Sequence, residues 1–205
     1  MLKLWHCADA RSFRALWALE EMGLPYELML LPFPPRYRAP DYLSVNPLGT
    51  IPFFTDGEAA MTESAGIVHY LVTKHGPTPL AVDCQDPDYA AWLNFLHQSD
   101  ATLTFPQTIT FRYRVLEPPE KRQPKVAEDY AKWFLARTLW VDRALADGRE
   151  WLCAGRFTAA DIAVGYAFLL AGHLGLIADV APGIRAWWDR CQARPAFARA
   201  KLAQG

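Results

Sequence analysis

Long apolar runs are missing from this 205-residue sequence. None approaches the roughly 18 residues that a membrane-spanning helix needs, so no partnership with a membrane is expected. Surplus charge of either sign is also missing. Lysine and arginine number 21 against 22 acidic residues, a net charge of −1, and nucleic acid is not an expected partner because its binding needs a basic excess to displace counterions. Cysteine is sparse and scattered. Cys7, Cys84, Cys153 and Cys191 contain no C-x-x-C pair, which gives neither a zinc site nor a disulfide framework. The five histidines, His6, His69, His75, His97 and His173, include no i,i+4 pair, so no metal is expected. The opening run Met1-Leu2-Lys3-Leu4-Trp5-His6-Cys7 turns polar too early to serve as the apolar region of a signal peptide. A cytoplasmic location is the default expectation. Internal repeats and low-complexity segments are absent as well.

What remains is an ordinary globular composition, 52% hydrophobic and 21% charged, in a chain long enough for one large domain or two small ones. The first 80 residues change period repeatedly. Lys3 to Cys7 reads as a strand. Phe13, Leu16, Trp17 and Leu19 then fall at helical spacing behind Ser12 as N-cap, and Gly23 and Pro25 stop that helix. Tyr26 to Leu31 reads as a second strand, parallel to the first by right-handed crossover. Phe33 to Pro40 reads as a loop and Asp41 to Ser44 as one helical turn. Ile51 to Phe54 and Ala59 to Thr62 flank Asp56-Gly57, a hairpin signal. Ser64 then caps a helix that runs to Lys74. Beyond Pro87 strand signals vanish. Helices are expected over Tyr89 to Thr104, Lys125 to Asp147, Thr158 to Leu174 and Gly183 to Arg194, with breaks at Pro106, Pro118-Pro119, Gly148 and Pro182-Gly183. The expected organisation is residues 1–80 as one domain with a four-stranded mixed sheet, 81–86 as linker, and 87–205 as an all-helical domain.

Three signals carry chemistry. In Asn46-Pro47-Leu48-Gly49-Thr50-Ile51-Pro52, Gly49 permits a tight turn and Pro52 opens a predicted strand. Proline fits there at an edge or junction, and a cis Ile51-Pro52 bond would leave the Ile51 main chain free to pair with a peptide-like ligand. A plain proline-rich turn explains the same residues. In Thr62-Glu63-Ser64-Ala65-Gly66-Ile67, a strand ends where a helix begins, and the free N–H groups there suit an anion. Glu63 could accept an ammonium group. Simple capping by Ser64 is the alternative. Arg38, on an exposed loop, means little alone.

In this order, however, the run from Tyr37 to Pro52, followed by Asp56-Gly57 and Thr62-Glu63-Ser64, resembles the glutathione-binding segment of cytosolic glutathione transferases. Arg14 to Tyr26 resembles the first helix and second strand of bacterial members. Phe157-Thr158-Ala159-Ala160-Asp161-Ile162-Ala163 resembles the capped helix of the family's C-terminal domain, where Thr158 and Asp161 make a capping box with Phe157 as staple. The resemblance implies a thioredoxin-like N-terminal domain and an all-α C-terminal domain. It implies glutathione as co-substrate, held by Arg38, Thr50, Ile51, Pro52, Glu63 and Ser64, with Tyr37 as a further contact position. It also implies transfer of glutathione to small electrophiles and a homodimer.

The thiol-activating residue departs from the family pattern. A tyrosine, serine or cysteine usually follows the first strand, but here the loop reads Trp5-His6-Cys7-Ala8-Asp9-Ala10-Arg11-Ser12, with Asp9 and Ala10 about where a serine-type member carries its hydroxyl. Ser12 is the first candidate and Cys7 the second. Cys7 would give thiol–disulfide exchange instead of conjugation, and plain capping or burial are the ordinary roles of the two. Arg11 and His6 are weaker candidates. A second-substrate pocket is expected between the domains, with apolar walls from Trp5, Phe33, Phe105, Phe111 and Tyr113. A non-catalytic glutathione-binding or interaction module on the same fold is the rival reading.

Overall fold

The computed structural model describes all of residues 1–205 and divides into two compact units, one of residues 1–81 with 192–205 and one of residues 82–191. The expected partition assigned everything from residue 87 onward to the helical domain. The last fourteen residues instead cluster with the first unit, because they form a helix with its own aromatic and ionic anchors there.

In the first unit, β1 (Leu2–His6), α1 (Phe13–Met22) and β2 (Tyr26–Leu30) make the predicted parallel β-α-β unit. α2 (Pro35–Arg38) is a single helical turn inside the expected loop, and a 3₁₀ turn follows over Pro40–Ser44. β3 (Phe53–Asp56) and β4 (Ala59–Met61) form the hairpin, and α3 (Ser64–Lys74) completes the pattern. The sheet order is β2-β1-β3-β4, with β3 antiparallel to both neighbours. The architecture is thus a thioredoxin-like four-stranded mixed sheet. Leu4, Phe54, Leu16, Leu19, Ile67 and Leu71 fill its core without exposure.

Sequence periodicity missed the helix α10 (Pro195–Ala203). Phe197 meets Phe13 and Trp17 edge-on at 5.3 and 5.0 Å between ring centroids. Arg194 forms a two-pronged pair with Glu21 at 2.6 and 2.8 Å, and Arg199 bonds the carboxylate and the carbonyl of Glu20. Parallel guanidinium–carboxylate pairs of the first kind fix orientation as well as charge.

In the second unit, α4 (Tyr89–Gln98) and α5 (Phe105–Phe111) belong to one continuous helical run. Pro106 does not break it, contrary to expectation. The ladder loosens to π spacing over Ser99–Thr104, so the missing proline N–H falls where the bonds are already changing register. The run ends in a second π turn, Arg112–Leu116. α6 (Pro124–Arg137) and α7 (Leu139–Leu145) are divided at Thr138, and α9 (Pro182–Gln192) stops two residues short of its expected end. α8 (Ala159–His173) is buried along most of its length, as a helix apolar on every face must be. Thr158 and Asp161 form the expected capping box at its start. Asp161 also accepts from Leu152 N–H and from the Trp187 indole, and burial holds its carboxyl up at about 6.

Candidate functional site

The β1–β3 register pairs Trp5 with Phe53 and Leu4 with Phe54. Continued by two residues, it brings Cys7 opposite Ile51, so the Cys7–Ser12 loop leaves the sheet beside the Asn46–Pro52 turn. That turn is built from its own side chains. Buried Asn46 donates to the Thr50 carbonyl at 2.8 Å and accepts from Leu48 N–H, and the Tyr42 hydroxyl donates to the same carbonyl at 2.7 Å. Gly49 turns at φ 61°, and a Cβ there would stand 2.9 Å from Leu43 Cδ2 and 3.1 Å from Arg36 Cβ. Glycine is therefore required on both conformational and steric grounds.

The Ile51–Pro52 peptide is cis. Pro52 is buried and Ile51 half-buried. Pairing begins at Phe53 instead of Ile51, and no main-chain bond within the protein engages the Ile51 N–H or C=O.

The third element is the start of α3. Glu63 occupies the N-cap in extended conformation and is exposed, but its side chain makes no capping bond. Ser64 is the first helical residue and not the cap, which corrects the sequence reading. Its hydroxyl accepts a 2.9 Å bond from the Arg14 guanidinium, and Arg14 is wholly buried on α1. A buried cation beneath a helix start adds to the positive end of the macrodipole. Sequence reasoning assigned Arg14 no site role. Arg14 placed the resemblance, but the apolar α1 pattern gave no sign that it turns inward.

Arg38 is exposed and donates to the Phe33 carbonyl at 3.3 Å, while Thr50 and Tyr37 are exposed. Arg36 lies against the turn, with its Nε 3.3 Å from the Cβ position of Gly49.

Both catalytic candidates are buried. Cys7 has no exposed surface, and burial pushes its thiol up to about 12. Burial of that kind disfavours the thiolate that exchange chemistry at Cys7 would need. Ser12 is also fully buried and has helical backbone angles. It makes no capping bond, and its Oγ instead accepts the Cys7 N–H at 3.4 Å. The hydroxyl braces the loop from inside.

The second-substrate candidates lie in both units. Trp5 packs on Phe53 with centroids 5.2 Å apart, and Phe33 is exposed on its loop. In the helical unit Phe105 joins Tyr130 and Trp133 in an aromatic cluster, Tyr113 lies under the Arg112 guanidinium, and Phe111 is half-buried between them in sequence. A cavity of about 520 Å³ in that unit is bordered by His97, Arg137, Trp140 and Arg143, none of which was expected at a site. No cluster of His, Cys, Asp or Glu could hold a metal ion, and no helix is long and apolar enough to cross a membrane.

Residues 10–74 match the glutathione S-transferase N-terminal domain. Glutathione S-transferase 3 of Schizosaccharomyces pombe is 28% identical over 210 residues, covering 96% of this chain and 85% of that one. A glutathione transferase from Methylococcus capsulatus superposes with a TM-score of 0.85 at 24% identity, covering 100% of this chain and 99% of that one. Ure2p in complex with glutathione gives 0.84 at 22% identity, covering 98% and 94%. Along nearly its whole length the chain is thus similar to glutathione S-transferases, and it shares their fold.

Proposed function

We propose that the chain binds glutathione on its first unit and transfers it to small, largely apolar electrophiles. The observation that carries this reading is an α3 start uncapped by its own side chains and backed by the buried Arg14, in the same unit as an Ile51 main chain that no strand engages. Ile51 pairs with the cysteinyl main chain as an added strand would. Ser64 and the α3 N–H groups receive the γ-glutamyl carboxylate, and Glu63 its ammonium. Arg38, Thr50 and the neighbouring Arg36 serve the glycine end. Structures of relatives named as glutathione transferases or as glutathione complexes support the ligand.

In the reaction the thiol gives up its proton, and the thiolate forms a C–S bond as the electrophile's leaving group departs with the bonding pair. A free thiol with a pKa near about 8.5 is only a few per cent ionised at neutral pH. Cys7 and Ser12 are both buried, so neither side chain is exposed to donate a bond to that thiolate. Phe105, Phe111 and Tyr113 of the helical unit provide aromatic surface for the second substrate. The protein acts in the cytoplasm as a homodimer. Trp133, Leu139 and Trp140 are large apolar side chains exposed on α6 and α7, as an interface would use, and sedimentation velocity would test the dimer by returning twice the chain mass.

The test of the ligand reading is a calorimetric titration with glutathione from pH 6 to pH 9. Binding with proton release near neutrality supports transferase chemistry. Binding without release supports the second reading, a non-catalytic module, which the absence of an accessible hydroxyl in the Cys7–Ser12 loop favours. No binding at millimolar ligand would defeat both.

A further inference from the structure

One group of cations in the helical unit balances no carboxylate. Along α4, Asn94, His97 and Gln98 share a face by their i, i+3, i+4 spacing. Across from them α6 ends and α7 begins, and that junction presents Arg137, Trp140 and Arg143. Together these side chains border the cavity of about 520 Å³, within the roughly 300–1,000 Å³ of small-molecule pockets. No Asp or Glu lines it.

The Arg143 guanidinium makes no hydrogen bond or ion pair, and Arg137 only lies over the Trp133 ring, 5.7 Å from its centroid. His97 is exposed and likewise unbonded. Asp142, beside Arg143 in sequence, directs its carboxylate to the start of α9 instead, where Oδ1 lies 4.0 Å from the Cβ position of Gly183. In a chain whose net charge is −1, this excess of cation is local. A concave site lined by one sign of charge gathers ions of the other.

The lining also dictates what kind of anion fits. Two guanidiniums offer two positive charges and planar forks of N–H donors, which match the oxygens of a phosphate. A phosphate monoester carries about −1.5 to −2 at pH 7, close to balancing both. Trp140, 54% exposed, adds an open indole face on which an aromatic ring stacks. Asn94 Nδ2 donates to Gln98 Oε1 at 3.1 Å, which leaves the Gln98 amide N–H groups and the Asn94 carbonyl for the edge of a base. A second copy seated over the cavity is the poorer occupant, because about a two-fold axis the face meets itself and sets cation against cation. A dimer formed through the neighbouring α6 surface must leave it open. We propose that this cavity binds a mononucleotide, with its phosphate on Arg137 and Arg143 and its base on Trp140. The site is independent of the glutathione reading and shares no residue with it.

The test is calorimetric titration of the full-length protein with adenosine 5′-monophosphate, alongside adenosine and inorganic phosphate. Saturable binding of the nucleotide below millimolar concentration is expected. Adenosine should bind about a hundredfold more weakly, for the loss of two charge-assisted bonds. Inorganic phosphate should bind about tenfold more weakly, for the loss of the stacked ring. Arg143→Gln and Trp140→Ala should each lower nucleotide affinity about tenfold, and both side chains are exposed, so neither change disturbs the core. Trp140→Phe keeps a ring and most of the affinity. Adenosine or inorganic phosphate bound as tightly as the nucleotide, or an Arg143→Gln protein that binds it unchanged, overturns the proposal. No binding at millimolar nucleotide also overturns it, and a sedimentation mass of twice the chain would then assign the face to a second copy. Glutathione should bind Arg143→Gln as it binds the wild-type protein, so the two readings fail separately.

Discussion

Two helix starts in this molecule have opposite designs. At α8 the first turn closes on itself. Thr158 accepts from the Ala160 N–H, Asp161 returns the bond to the Thr158 main chain, and the remaining carboxylate capacity goes to Leu152 and Trp187. Thr158 and Asp161 have no exposed surface. At α3 nothing closes the turn. Glu63 is exposed and makes no capping bond, while Ser64 is held from below by Arg14. A start that consumes its own donors stabilises a fold, and one that leaves them open can receive an anion. Substitutions at the two should separate stability from ligand binding.

The largest effect is expected at α8. Asp161→Ala strands the Trp187 indole N–H and the Leu152 and Thr158 main-chain N–H groups in the core, a loss of about 3–5 kcal/mol. The thermal midpoint should fall markedly while glutathione affinity, measured below that midpoint, is unchanged. Thr158→Ala removes one capping bond and should lose only about 1 kcal/mol. If either change weakened glutathione binding at a temperature where the protein stays folded, the separation would be wrong.

The second effect is acid sensitivity of the first unit. His6 is fully buried, and burial lowers its ring to about 4 against 6.5 when exposed. Nε2 already donates to Gln204, so acid must add its proton at Nδ1, which has no partner. A group whose folded pKa is depressed lends stability that is complete above pH 6.5 and drains as pH falls toward 4. The span amounts to about 3 kcal/mol. Asp161, held up at about 6, contributes in the opposite sense, so the His6 share is the difference between wild-type and His6→Asn denaturant midpoints, which should shrink from pH 7 to pH 4. A difference that stayed constant with pH would assign the acid sensitivity elsewhere.

These regions were unequally legible in the sequence. The β-α-β–β-β-α order of the first unit could be read because each element has its own period and punctuation: Gly23-Pro25 after α1, Asp56-Gly57 in the hairpin, Gly76-Pro77 after α3. The α8 box could be read because Thr158 and Asp161 sit at a fixed spacing before an apolar run. The run through Pro106 could not, since the π turn that accommodates the proline has no residue signature. Nor could the second anchoring of the chain. Lys201 and Gln204 bond Asp9 from more than 190 residues away, and their relation depends on where α10 docks, which Phe197, Arg194 and Arg199 determine. The proposed ligand positions Ile51, Glu63 and Ser64 stood out through a family resemblance. The buried Arg14 beneath Ser64 and the inward turn of Cys7 and Ser12 needed coordinates, because polar residues within an apolar helix pattern do not announce which way they face.

The smallest and most discriminating effect is expected at α3. Ser64→Ala leaves the helix intact, since Ser64 is not its cap, but it removes one acceptor from Arg14 and one hydroxyl from the proposed anion site. A stability loss of about 1 kcal/mol follows from the Arg14 bond. Glutathione affinity should fall about tenfold, the equivalent of one charge-assisted hydrogen bond. Ser64→Thr keeps a hydroxyl within reach of Arg14 and should recover most of both losses. The informative quantity is the ratio of the two effects. At α8 stability carries the whole change and binding none, whereas at α3 binding should carry the larger share. A Ser64→Ala protein that lost stability but bound glutathione as before would make Arg14–Ser64 a second structural bond, and the open start of α3 would then need another explanation.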